Sequence, residues 1–289
     1  MQQVLNELNI PFTCQKRRFP RELTTLATNY ANTKPNKNDI LIVVGGDVSF
    51  NEVLNGIKTS DYPDTPITYL PAGTGNDFAR GAGLTDDPRQ LIHNLFNDPE
   101  PEQVDCGYFT ANIPDENTGY FVNNFGIGFN SFIVYQSNHE KLKDKLNRLN
   151  LGNLIYGLNV VKALAQQNTF TVTVKTKDKT LRYGDAYFVT TTNYPYFGGG
   201  FAILPKADVY SHHLDTVIVE KPSLSKFIFL FSKLLKDGSH VNAPQFHYVE
   251  AKEIQVETKK PEFAQIDGED VAAQGFKVKF KIDHLNLLK

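Results

Sequence analysis

Hydrophobic and polar positions divide this chain into two textures. In the first third, short aliphatic runs alternate with stretches of helical spacing. Val4, Leu5 and Leu8 make a short helical face. The chain breaks at Ile10-Pro11, runs extended from Phe12 to Arg18, and resumes helical spacing from Arg21 to Tyr30 through Leu23, Leu26 and Ala27. A polar link over 32–39 leads into Ile40 to Val44, an apolar run with the length and β-branching of a buried strand. Val53, Leu54 and Ile57 then predict a helix from about Asn51 to Lys58. Ile67 to Leu70 predicts a second buried strand, and the spacing predicts a further helix over Pro88 to Asn97. The Asp/Pro/Glu stretch 98–102 reads as a boundary.

From Val104 the pattern changes. Tyr120 to Phe129, Phe170 to Lys175, Tyr183 to Asn193, Leu214 to Glu220, Phe246 to Thr258 and Phe276 to Ile282 read as strands rich in β-branched and aromatic residues. Helical interruptions fall at 131–146, 153–166 and 223–236. The two textures predict an α/β domain with a parallel sheet over 1–103. A mainly antiparallel β-sandwich domain follows over 104–289, and the extreme C-terminus is placed to pack back on the first. A cleft between two such domains is the default place for a site.

Composition narrows the field only a little. The 289 residues are 40% hydrophobic and 21% charged with a net charge of -2, which gives no global signal for nucleic acid. Cys14 and Cys106 form no spaced pair, and no signal peptide opens the chain, so a reducing cytoplasm is expected. No apolar run approaches the roughly 20 residues of a membrane helix, so any contact with lipid is expected to be peripheral. Absent too are His-Glu-x-x-His, paired Cys-x-x-Cys and Gly-x-Ser-x-Gly. Zinc protease, zinc finger and α/β-hydrolase readings therefore lack support.

The candidate chemistry lies where the two buried strands end. The first runs into Gly45-Gly46-Asp47 and the second into Pro71-Ala72-Gly73-Thr74-Gly75-Asn76-Asp77. Glycines let backbone N–H groups approach an anion, and a helix start points its N–H groups the same way. One such turn is a weak signal. Two at the carboxyl edge of one parallel sheet, where ligands bind, are far more specific.

These residues resemble the diacylglycerol-kinase catalytic family, lipid kinases that include the bacterial diacylglycerol kinases and the sphingosine kinases. The family's Gly-Gly-Asp-Gly-Thr, with Asn-Glu shortly after, stands here as Gly45-Gly46-Asp47-Val48-Ser49 and Asn51-Glu52. Its Gly-Thr-x-Asn-Asp-Phe-Ala-Arg is intact at Gly73 to Arg80. A glycine-rich stretch with a downstream Pro-x-Ala is matched by Gly198-Gly199-Gly200 and Pro205-Lys206-Ala207. A late Asp-Gly-Glu falls at Asp267-Gly268-Glu269. The resemblance implies a nucleotide-binding first domain and an ATP-dependent transfer of phosphate to a lipid hydroxyl, most plausibly of diacylglycerol. In that scheme Gly45, Gly46, Ser49, Gly73, Thr74 and Gly75 cradle the ATP phosphates, Asp47 and Asp77 orient loop groups and Mg²⁺-bound waters, and Asn76 contacts the nucleotide. Asp267 is the general base, Glu269 supports it through the metal, and the acyl chains lie in the second domain. The implied partner is a lipid at the membrane surface; homodimerisation is left open.

Each feature also has a plainer reading. Asp267-Gly268 can be an ordinary hairpin turn, Asp47 can cap a helix, and Gly198 to Gly200 can be a loop. Ser211-His212-His213 reads as surface, because adjacent strand residues face opposite ways. Leu224 to Leu235 reads as a helix packed on the sheet with its lysines in solvent, in preference to a membrane-surface helix. Three departures from the family bear on activity. Val48 replaces a glycine, which strains the backbone if that position needs positive φ. The chain opens with a helix where the family has a strand and an Asn-Pro-x-Ser-Gly-like loop. Tyr210-Ser211-His212 replaces the family's Asp-Asp-Gly, which speaks against a structural Mg²⁺ there. A catalytically impaired homologue and an NAD kinase-like enzyme are the rival readings.

Overall fold

The computed structural model describes residues 1–36, 38–97, 100–114, 116–128, 168–197 and 200–289. The N-terminal part is α/β. Strands β1 (Leu41–Gly45) and β2 (Ile67–Pro71) pair in parallel, with Leu41 opposite Ile67. Around them lie α1 (Gln2–Glu7), α2 (Glu22–Asn32), α3 (Asp47–Lys58), α4 (Asp77–Gly81) and α5 (Pro88–Asn97). The apolar stripe of α3, with Phe50, Val53, Leu54 and Ile57, is fully buried and packs with Ala27 and Ala31 of α2. Gly56 makes that contact close: a Cβ there would stand 2.3 Å from the Thr24 carbonyl oxygen. Helix α3 begins at Asp47, earlier than the predicted Asn51; Phe50 already belongs to the stripe of Val53, Leu54 and Ile57, so the periodic face reaches into the first turn.

The C-terminal part is a β-sandwich of β3 (Glu102–Ala111), β4 (Thr118–Phe121), β5 (Asn124–Gly128), β6 (Phe170–Lys175), β7 (Thr180–Thr192), β8 (Tyr196–Phe197), β9 (Phe201–Ala202), β10 (Leu214–Glu220), β11 (Phe246–Ala251), β12 (Glu253–Thr258), β13 (Glu262–Ile266), β14 (Glu269–Gln274) and β15 (Lys277–Leu288). Helix α6 (Leu224–Lys236) follows β10. The strand order runs β1-β2-β15-β12-β6-β7-β5-β13-β14, with β3 and β4 built on β15, and β10 and β11 on β7. Aromatic side chains fill the interior; the Phe125 and Phe280 rings meet edge to face at 5.2 Å. β15 joins the two halves. It pairs antiparallel with β3 and β12, then its end runs parallel to β2 through Leu287 and Leu288. Among the described residues β1 ends this strand order on one side and β14 on the other.

Several expectations change. The strand predicted over Tyr120 to Phe129 is interrupted at Val122-Asn123, where backbone N–H groups leave the ladder for a carboxylate. The strand predicted over Phe246 to Thr258 divides at Lys252, and its halves pair with different neighbours. Strand β13 shows no clear alternation because polar Glu262 and Gln265 sit on buried positions, and β14 because Val271 is its single buried residue. The predicted helices at 131–146 and 153–166 lie outside the described residues, as do Gly198 and Gly199. Helix α6 does not bury most of its apolar residues. Only Leu230 is buried, while Leu224, Ile228, Phe229 and Leu235 stay exposed.

Candidate active site

The two glycine loops abut, backbone against backbone. A Cβ on Gly73 would stand 2.5 Å from the Gly46 Cα, so only glycine lets them close. The Ala72 N–H donates to the Gly45 carbonyl at 2.7 Å, and the Tyr69 hydroxyl donates to the same oxygen at 3.0 Å. Asp47 caps a helix, but not its own. Its two carboxylate oxygens accept from the Asp77 and Phe78 N–H groups at 3.0 and 3.1 Å, closing the start of α4. Asn76, held at φ 52, folds its side chain onto its own loop: Oδ1 accepts from the Gly73 N–H at 3.0 Å and Nδ2 donates to the Gly73 carbonyl at 2.9 Å. Asp77 is ion-paired to Arg80 at 3.0 Å. Arg80 also donates to the Gly75 carbonyl. Gly45, Gly46, Asp47, Ser49, Gly73, Thr74, Gly75, Asn76 and Asp77 thus do come together. The Asp47 side chain, however, holds the loops to each other, while those of Asn76 and Asp77 engage their own loop and helix. That differs from their expected turn toward a nucleotide and its metal. No side chain caps α3, so its N-terminus keeps its dipole and first-turn N–H groups for an anion.

The second half of the site is the hairpin between β13 and β14. Asp267 at φ 48 and Gly268 at φ 91 form the turn, so the hairpin reading and the site reading hold together. The Asp267 carboxylate is buried and takes four hydrogen bonds. Oδ1 accepts from the Asn123 and Asn124 N–H groups at 2.8 and 2.9 Å; Oδ2 accepts from the Val122 N–H and the Asn51 amide, both at 2.7 Å. A carboxylate has about four acceptor directions, and all are occupied. Burial pushes the carboxyl up to about 7, against the pull of the three backbone N–H donors.

Helix α3 carries the links between the halves. Asn51 donates to both Asp267 and the Tyr120 carbonyl; Asn55, one turn on, brackets Tyr120 by accepting from its N–H at 2.9 Å and donating to its carbonyl at 3.0 Å. Buried Lys58 pairs with Asp283 of β15 at 3.0 Å. Asn51 and Asn55 had no assigned role in the sequence reading, although their spacing places them on one helix face. Glu52 faces the other way. Its buried carboxylate accepts from the Arg21 and Leu23 N–H groups and pairs with Arg17, fixing the start of α2.

Between the α3 start and the 267–268 turn lies a cavity of about 440 Å³, lined by Arg21, Val48, Asn51, Glu116, Gly268 and Glu269 among others. Val48 is not a positive-φ residue; it sits in the first turn of α3, so the anticipated backbone strain is absent and the side chain forms part of the cavity wall instead. Glu269 reaches the cavity, and burial first, then the nearby Glu52 and Glu116 charges, raise its pKa, while Arg21 opposes them. Arg21, a residue the sequence reading passed over, pairs with Glu116 at 2.9 Å on the cavity rim.

The segment 211–213 is more engaged than a surface reading allows. The two histidines do face opposite ways. His212 directs its N–H and Nδ1 at buried Asp105, whereas His213 pairs with Glu250 at 2.9 Å. Ser211 Oγ donates to the His213 carbonyl at 3.2 Å, closing the turn with protein groups. His213, Asp215 and Glu250 place their ligand atoms within 4.8 Å of one another, a set that can accept a cation.

Similarity to known proteins follows this geometry. Residues 1–109 match the diacylglycerol kinase catalytic domain, and residues 134–289 match the YegS C-terminal NAD kinase beta sandwich-like domain. "Putative lipid kinase YtlR" of Bacillus subtilis (strain 168) is 30% identical over 262 residues, which cover 90% of this chain and 83% of that protein. A "Putative lipid kinase" of Staphylococcus aureus (strain Newman) is 28% identical over 80% of this chain and 70% of its own length. A solved structure described as a putative diacylglycerol kinase from Bacillus anthracis str. Sterne superposes with a TM-score of 0.71 at 20% identity, covering 99% of this chain and 91% of that one. The chain belongs to the diacylglycerol kinase-like family of lipid kinases.

Proposed function

We propose that this protein is an ATP-dependent lipid kinase that transfers the γ-phosphate of ATP to a lipid hydroxyl, with diacylglycerol as the acceptor and phosphatidic acid as the product. The observation that carries the reading is the cavity itself, which Glu269 lines together with Val48 and Asn51 from the first turns of α3, the helix that follows the Gly45-Gly46 loop. The residues fit a polyphosphate: the Gly46–Gly73 approach is one that a single Cβ would fill, and the α3 start offers N–H groups to an anion. Glu269 and Glu116 are hard oxygen donors suited to Mg²⁺. When bound, the metal would neutralise charge on the transferred phosphate.

Within this reading the roles of the two acidic residues exchange. Asp267 has no acceptor direction left for a hydroxyl proton, so it positions the turn, the β4–β5 break and Asn51. Glu269 faces the cavity, and burial raises its pKa, the direction that strengthens a carboxylate as a base. Phosphoryl transfer asks for positioning and electrostatics, and Asp267 serves that by locking α3 to the hairpin. The test is transfer of labelled γ-phosphate to diacylglycerol in mixed micelles. No transfer to any lipid hydroxyl sinks the reading. Val48 supports a second one, a nucleotide- or lipid-binding homologue with impaired chemistry, because its side chain takes space on the cavity wall. Val48→Gly should then create activity that the natural chain lacks.

A further inference from the structure

We propose that helix α6 is the surface on which the protein seats itself on an anionic lipid bilayer. The lipid acceptor rests on the function proposed above; the observations are the helix's own. Leu224, Ile228 and Leu235 recur along one stripe of α6 and are 55%, 62% and 60% exposed. Phe229 is 51% exposed. Single exposed apolar residues are ordinary on a protein surface, but a run of them along one helix marks an interaction site. The charge of the same helix selects the partner. Between 221 and 236 there is no Asp or Glu, although the whole chain carries a net charge of -2. The first turn lacks the acidic residue that a helix N-terminus favours.

Lys226, Lys233 and Lys236 are the charges on α6, and the Nζ atoms of Lys226 and Lys233 lie 5.6 and 4.9 Å from the centre of the Phe229 ring. Phe229 therefore shares its side of the helix with these two lysines, and the stripe of Leu224, Ile228 and Leu235 lies across the exposed face from them. Leu230 holds the helix to the domain, with the 239–242 turn and β9 beneath it. An exposed helix that carries apolar residues and lysines but no acid fits the boundary between acyl chains and anionic headgroups, where the leucines, isoleucine and Phe229 enter the hydrocarbon edge and the ammonium groups meet phosphates. A second copy of the chain fits less well, since pairing two α6 stripes brings like charges together.

The experiment is co-sedimentation of the full chain with vesicles of phosphatidylcholine alone or with added phosphatidylglycerol. Binding is expected to the anionic vesicles and to weaken with salt. Ile228→Ser with Leu235→Ser, and separately Lys226→Glu with Lys233→Glu, should each weaken binding by about tenfold or more. Both pairs should keep the natural melting temperature and the same phosphate transfer to a short-chain, soluble diacylglycerol. Natural protein that ignores anionic vesicles, variants that bind as well as it does, or a solution dimer that the serine pair dissolves would each overturn the proposal. Vesicle binding without transfer to any lipid leaves the surface standing and removes the kinase reading instead.

Discussion

The glycine loops at 45–49 and 73–77 and the hairpin at 266–269 carry their carboxylates in opposite ways. In the loops, both oxygens of Asp47 take N–H groups from the neighbouring loop, and Asp77 answers Arg80. Both acidic side chains there have protein partners, Asp47 the backbone of the other loop and Asp77 a guanidinium. In the hairpin the work is divided: Asp267 is bound on all sides, while Glu269, two residues on, reaches an open cavity. The difference shows that motif acids are not interchangeable. Backbone N–H groups converge on Asp267, and the reading proposed above therefore gives the chemistry to the acid that is only partly enclosed.

The largest expected effect separates the two hairpin acids. Glu269→Gln should lower kcat for lipid phosphorylation by about 10²–10⁴-fold with an unchanged melting temperature, as removal of a general base does. Asp267→Asn should act chiefly on stability, because it turns one acceptor into a donor facing N–H groups. A fully active Glu269→Gln, or a well-folded and inactive Asp267→Asn, would restore Asp267 as the base. Next in size is the loop tie. Asp47→Ala leaves two N–H groups at the α4 start without their acceptor and should cost about 1–3 kcal/mol in urea unfolding. Gly73→Ala, which forces the loops apart, should cost a similar amount.

Titration sharpens the contrast further. The folded pKa of Asp267 is raised to about 7, above an unfolded value near 3.9, so the folded state holds the extra proton between them. The stability this group contributes is complete below about pH 4 and is lost as pH rises through about 7, at up to about 1.4 kcal/mol per unit. Melting curves of the natural protein should therefore fall relative to Asp267→Asn between pH 5 and 8, both values chosen around that window; parallel curves would show that Asp267 does not titrate there. Smallest is Val48→Gly. With no positive φ to relieve, it should destabilise by no more than about 1 kcal/mol, the helix cost of glycine. Its effect should appear in the KM for ATP.

Much of the frame was legible in the sequence. The runs Ile40 to Val44 and Ile67 to Leu70 could be read as buried strands because burial on both faces demands continuous apolar residues. Their Gly/Asp endings could be read as anion loops because few residues other than glycine allow such close approach. The β-rich texture after Val104 announced the sandwich. Among the strands the pattern does not show, β13 carries buried Glu262 and Gln265, whose polarity hides the alternation on which strand reading depends, and β14 buries only Val271. The exposure of α6 was misjudged for a related reason. Composition shows an apolar helix but not how much of it the domain covers, and only Leu230 turns inward.

What the sequence by itself determined was which acids stand next to a glycine or a helix start: Asp47, Asp77, Asp267 and Glu269. What only the tertiary structure decided was which of them remained available. Asp47 meets its partners 30 and 31 residues away, and Asp267 meets Asn51 across 216 residues. Hydrogen bonds of that reach leave no local trace in sequence. They form only when the fold brings a carboxylate against N–H groups that have no other acceptor.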